Sequence, residues 1–189
     1  MFAPRESVIG TGPQRTCDCL AAPLVEILDE LRAVIRTLND DEYTRPMGPL
    51  FLGATIGGHV RHCLDHVRAV AEGCASGAID YDHRERGTPV ERSPAAAAAE
   101  CDVLTSALRA MTRADPAYDV RVAVMPRRDG EPVELRSTLA RELAFVLSHT
   151  VHHNAMIRGM VTSLGRPLPG AFGYAPSTLA HRDAAACAR

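Results

Sequence analysis

Ser148-His149-Thr150-Val151-His152-His153 is the stretch that organises the rest of this chain. It sits inside a run from Thr138 to Leu164 in which Leu139, Leu143, Val146, Leu147, Val151, Met156, Ile157, Met160 and Val161 cover most of a helix circumference. A helix apolar nearly all round belongs in a core. Ser137 is placed to cap its start, and Gly165-Arg166-Pro167 ends it. On such a helix His149 and His153, four residues apart, stack on one face about one turn from each other. Two imidazoles so placed can grip a single metal ion. His152 points about 100° away, which makes it a candidate for contact with substrate or with the ligands.

Three further helices are predicted upstream. Leu24, Ile27, Leu28, Leu31, Val34, Ile35 and Leu38 recur at three- and four-residue steps over residues 18–38, and Asn39-Asp40-Asp41 is read as the end of that helix. Residues 39–54, with Pro46 and Pro49, read as loop. Thr55 is a plausible cap for a second helix reaching about Gly73, with Ile56, Val60, Cys63, Leu64, Val67 and Val70 along one side. His59, His62 and His66 share a neighbouring face of it. A long polar connection follows over residues 75–93. Ser93-Pro94 opens a third helix to about Arg113. Val120–Val124 and Pro132–Leu135 then flank Asp129-Gly130 and predict a short hairpin. The expectation is an all-α four-helix bundle with a long connection between helices 2 and 3 and the hairpin before helix 4. It forms one domain over 1–189, with a loose arm at 1–15 and an irregular tail at 165–189.

Composition narrows the function. The 189 residues carry 21 basic and 23 acidic groups, and every basic residue is arginine. A net charge of -2 gives no electrostatic reason to expect nucleic acid or an anionic membrane as partner. No apolar run reaches the roughly 18 residues that span a bilayer, and the N-terminus lacks the layout of a signal peptide, so a cytoplasmic location is expected. Six cysteines include Cys17-x-Cys19 but no C-x-x-C pair, so neither a zinc ribbon nor a thioredoxin-type motif is supported.

Six of the eight histidines fall in the two helical clusters. Burying that many imidazoles without a partner is costly, which points to a metal site. One histidine from His59, His62 and His66 would join His149 and His153 in a three-nitrogen set with open positions, the pattern of catalytic metals. Zinc, nickel and iron all accept imidazole. A fully closed site, with His59 or His66 as fourth ligand, would instead suit a non-catalytic role. Glu142, seven residues before His149, can orient a ligand histidine or act as a base. Tyr81, Arg84 and Arg86 in the long connection can bind a carboxylate or phosphate of a small-molecule substrate.

The segment Thr55-Ile56-Gly57-Gly58-His59-Val60-Arg61-His62-Cys63-Leu64-Asp65-His66 resembles the second-helix motif of the DinB-like (DinB/YfiT) metalloprotein superfamily, where a histidine precedes an aspartate by three residues. Ser148–His153 resembles its fourth-helix H-x-x-x-H motif, and the likeness spans about residues 20–164. The resemblance implies His62, His149 and His153 as ligands, with Asp65, His59 and His66 beside them. It also implies a divalent-metal-dependent enzyme, a thiol transferase or related transferase or hydrolase, with a low-molecular-weight thiol such as bacillithiol or mycothiol as cosubstrate. Oxidative chemistry at a non-haem iron on a sulfur or nitrogen compound is the second reading. A non-catalytic metal-binding stress or interaction protein, homodimeric through exposed helix faces, is the third. Tyr81–Arg86, Arg141–Phe145 and Phe172–Thr178 also resemble an uncharacterised subgroup of that superfamily, with no role implied.

Overall fold

A computed structural model describes residues 14–83, 85–111 and 114–187. Four long helices dominate: α1 (Gln14–Ile35), α3 (Ile56–Ser76), α5 (Pro94–Met111) and α6 (Leu139–Ser163). Between α1 and α3 lies the short α2 (Asp40–Thr44), between α3 and α5 the short α4 (Pro89–Arg92), and α7 (Pro176–Cys187) follows α6. α1 packs on α5 and α6, and α3 packs on the same two, so the long helices close a four-membered ring. The three- and four-residue steps read from the sequence place Leu24, Leu28, Leu31 and Ile35 of α1 in the core, each fully buried. Leu108 of α5 and Leu139, Leu143, Val146, Ile157 and Met160 of α6 are buried as completely.

The chain is mostly helical, but it is not all-α. The hairpin pairs β2 (Asp119–Val124) with β3 (Val133–Thr138) antiparallel, Val122 facing Leu135. A third strand, β1 (Ala78–Asp80), pairs parallel with β2 on the other side, giving the order β1-β2-β3. Three residues carry no period from which a strand can be read. Their pairing is decided by how α3 ends. Gly77 takes a left-handed conformation, φ 72°, and turns the chain straight from helix into strand. Four residues earlier, a Cβ on Gly73 would lie 2.2 Å from Ile79 Cγ1, so only glycine lets the buried Ile79 close against the helix.

Other expectations change in detail. Asn39-Asp40-Asp41 does not merely end a helix. Asn39 caps α2, accepting the Glu42 N–H at 2.9 Å while the Glu42 carboxylate accepts the Asn39 N–H at 3.1 Å. Ser137 does not cap α6: it is still paired to Val120 in the sheet, and Thr138 takes the cap position. The hairpin is joined by residues 125–132, so Asp129-Gly130 lies within a longer loop rather than a two-residue turn. The tail is not irregular throughout, since α7 occupies Pro176–Cys187; none of its residues is buried. The arm expected at 1–15 lies largely outside the described residues; Gln14 and Arg15 belong to α1. No helix among the described residues is long and apolar enough to cross a membrane.

Candidate metal centre

α3 and α6 face each other in opposite directions. Along their seam His66 lies beside Phe145 and His149, His62 beside His149 and His153, and His59 beside His153. The Thr55 hydroxyl, accepting the Gly58 N–H at 2.9 Å, fixes where α3 starts and so which turn of it meets His149.

His62, His149 and His153 each offer one nitrogen to a group whose members all lie within 4.8 Å of one another. Of the three upstream candidates, His62 is the one in this group. Its Nε2 is 3.0 Å from His149 Nε2. His59 stands just outside, with its Nδ1 2.9 Å from His153 Nδ1, one ring donating to the other. His66 is committed differently: its Nδ1–H donates to the His62 carbonyl at 2.9 Å, and its ring stacks on His149 with centroids 4.1 Å apart. His152 is exposed and meets only the edge of His153 among the ring contacts.

Burial and crowding keep two of these rings, His153 and His59, neutral. His153 is pushed down to about 3, first by burial and then by the imidazoles of His149, His59, His152 and His66. His59 is also lowered, by burial and by His152. A neutral imidazole is the form that binds metal. The donor set fits a divalent ion on a second count. Two nitrogens that are each about 2.0–2.1 Å from one ion sit roughly 3 Å or slightly more apart, the separation seen between His62 and His149. The three histidines can therefore hold a metal ion.

Glu142 does not bond a ligand histidine directly. It is fully buried and accepts from the Tyr81 hydroxyl at 2.8 Å, from the Ser137 hydroxyl and from Arg141 at 2.8 Å. Burial and the Glu142 carboxylate raise the Tyr81 phenol well above its usual range. Tyr81 in turn stacks on His66, centroids 5.1 Å apart and planes 12° from parallel. A column of rings, Tyr81, His66 and His149, thus joins the buried carboxylate to the triad. Asp65 is engaged by Arg61 at 2.7 Å and by Arg68. Arg86 is exposed on the connection, and Arg84 lies outside the described residues.

A cavity of about 470 Å³ opens beside this column, between the hairpin and the start of α6. His66, Tyr81 and Glu142 line it, as do Arg136, Arg141 and Phe145, which composition and motif reasoning gave no role. For Phe145 a signal was present: it precedes His149 by one turn and so shares its face. The cysteines take no part in the cluster. Cys63 and Cys101 are buried, and burial raises both thiols, Cys101 to about 12.

A sequence model of the DinB superfamily matches residues 16–157, and the chain belongs to that superfamily. Its fold is similar to that of a DinB-like protein from Bacillus subtilis, with a TM-score of 0.58 over 80% of this chain and 95% of that one, at 14% identity. A stretch of 104 residues, 54% of this chain, is 30% identical to FK506-binding protein 5 of Rhizopus delemar. The match spans only 27% of that curated relative's length.

Proposed function

We infer that this chain is a divalent-metal-dependent enzyme in which His62, His149 and His153 hold the ion and a low-molecular-weight thiol serves as cosubstrate for a transfer reaction. The observation that carries this reading is the convergence of three imidazole nitrogens, from two facing helices, within 4.8 Å. Membership of the DinB superfamily supports it. A divalent ion held there would supply Lewis acidity, lowering the pKa of a coordinated water or thiol toward neutrality. The chain's own residues do the rest. The opposed runs of α3 and α6 present the three rings to one point. His66, pinned by its bond to the His62 carbonyl, fixes the orientation of His149 by stacking on it. His59 fixes His153 through the Nδ1 contact.

Metal analysis of untagged protein tests this, on wild type and on His62→Ala, His149→Ala and His153→Ala. About one ion per chain in wild type, lost in each variant, is the expected result. Zinc or nickel would favour thiol activation, followed as metal-dependent consumption of a thiol in the presence of an electrophile. Iron would favour oxidative chemistry. A wild type that holds no metal and takes up none when zinc, nickel or iron is added would overturn the reading.

A further inference from the structure

β3 is an edge strand, with β2 on one side and no strand on the other among the described residues. Val133, Glu134, Leu135 and Arg136 are all exposed. In an antiparallel pair, residues directly opposite each other alternate between exchanging both backbone bonds and exchanging none. Two bonds fix that alternation here. The Leu139 N–H donates to the Tyr118 carbonyl at 2.9 Å, one step beyond the Asp119–Thr138 pair. The Arg121 N–H donates at 2.9 Å to the Gly77 carbonyl, on the β1 side and so away from its opposite number Arg136. Counting by twos, Val133, Leu135 and Ser137 turn their backbone groups toward β2, and Glu134 and Arg136 turn theirs to the open edge. Such a row of free donors and acceptors is a template for another strand.

The side chains of β3 are also short of partners. Arg136 lies directly opposite Arg121 on the outer face of the sheet, two like charges side by side. Its guanidinium has no ion-pair or hydrogen-bond partner among the described residues. Glu134 reaches Arg121 only at 3.6 Å, with both side chains well exposed. On the inner face Leu135 is 50% exposed, although Val122 opposite it is buried.

A second copy of β3, antiparallel about a two-fold axis, supplies what each of these groups lacks. Three registers pair the two outward residues among themselves. Glu134 against Glu134 sets carboxylates together and puts Arg136 opposite Pro132, which has no N–H. Arg136 against Arg136 sets cations together. Glu134 against Arg136 makes two opposite-charge pairs, one on each side of the axis, and brings Leu135 onto Leu135 in the closer kind of cross-strand pair. Charges on an edge strand commonly keep other strands away. Here their order is self-complementary, so they select one partner.

We propose that the open edge of β3 is an interface between two copies of this chain, joined antiparallel in the Glu134–Arg136 register so that two three-stranded sheets become one. The sequence expectation of a dimer through exposed helix faces gives way to one through a strand. The proposal does not depend on the metal reading.

Sedimentation velocity over a concentration series tests it. Wild type should show a monomer–dimer equilibrium that weakens as salt is added. Glu134→Arg and Arg136→Glu, each alone, turn both pairs into like-charge pairs and should raise the dimer Kd about tenfold or more. An equimolar mixture of the two variants restores both attractions and should form a heterodimer. The double variant, with the charges exchanged within one chain, should self-associate like wild type. Both positions are exposed, so the variants should fold, and thermal melts check that they do. Leu135→Cys, in a Cys19→Ser/Cys187→Ser background, should form a chain-to-chain disulfide under mild oxidation, since facing Cα atoms in such a pair lie about 4.5 Å apart. Val133→Cys in that background should not, because the register sets it opposite Ser137. A wild type that stays monomeric up to about 1 mM overturns the proposal. So does a dimer indifferent to both charge reversals, or a mixture of the two variants that stays monomeric.

Discussion

The α1–α5 seam and the α3–α6 seam are built on the same geometry and filled with opposite chemistry. The first is aliphatic: Leu24, Leu28 and Leu31 from α1 and Leu104 and Leu108 from α5 lie in one core, with charged contact such as Arg32 to Asp102 kept to the edge. The second places five histidines along its length, four of them only partly buried. A seam of leucines gains from every atom removed from water. A seam of imidazoles loses hydration and gains little from itself. The helical ring can keep such a layer because α1, α5 and the apolar parts of α6 carry the stability. Fold and site are thereby assigned to different seams, and each can be perturbed separately.

The most direct break is Leu28→Ala. It removes a fully buried side chain from the aliphatic seam and should cost about 2–5 kcal/mol, read by urea denaturation. Metal bound per folded chain should not change; if it falls in step with stability, the two seams are not independent. The complementary break is His149→Ala. Saturating metal should stabilise wild type by about 2.7 kcal/mol at a hundredfold excess over Kd and should give the variant no such gain. A variant melting temperature that still rises with added zinc would remove His149 from the ligand set.

Acid sharpens the same contrast. His153 titrates near 3 in the folded chain and near 6.5 when unfolded. Between those values the unfolded chain takes up a proton that the folded chain refuses, so its contribution lowers stability as pH falls below about 6.5. Metal-free wild type should melt at a lower temperature at pH 5 than at pH 7, and His153→Ala should show a smaller difference. An equal pH dependence in both would mean that the histidine layer is not the acid-sensitive element. Thr55→Ala should have the smallest effect, about 1 kcal/mol, from loss of the α3 cap. Because that cap sets the start of the helix carrying His62, a weakening of metal binding beyond this loss would show that register, and not only stability, depends on it.

Much of this was legible in sequence because it is local. The three- and four-residue steps of α1, the Ser93-Pro94 start of α5 and the pairing of His149 with His153 depend on neighbours along one helix. The choice of His62 was not legible from spacing alone, since His59, His62 and His66 lie on one face; family resemblance singled it out, and the facing turn of α6 is what sets its nitrogen beside those of His149 and His153. β1 escaped notice because its partner is some forty residues away and its entry depends on Gly73 lacking a Cβ. The cavity is hidden for the same reason, since its β3 and α6 walls come together only when the hairpin folds over α6. The α2 cap has a readable signal, Asn39 with Glu42 three residues on, which the end of the preceding helix masks.

The bond from the Tyr81 phenol to the Glu142 carboxylate has an optical consequence. The chain has no tryptophan and four tyrosines, so its ultraviolet emission comes from phenols alone. A phenol hydrogen-bonded to a carboxylate and stacked on an imidazole loses excitation without light, so Tyr81 is expected to emit weakly at rest. Anything that enters the cleft and parts Tyr81 from Glu142 turns on a signal against a background of three other emitters, a built-in lamp at the wall of the cavity.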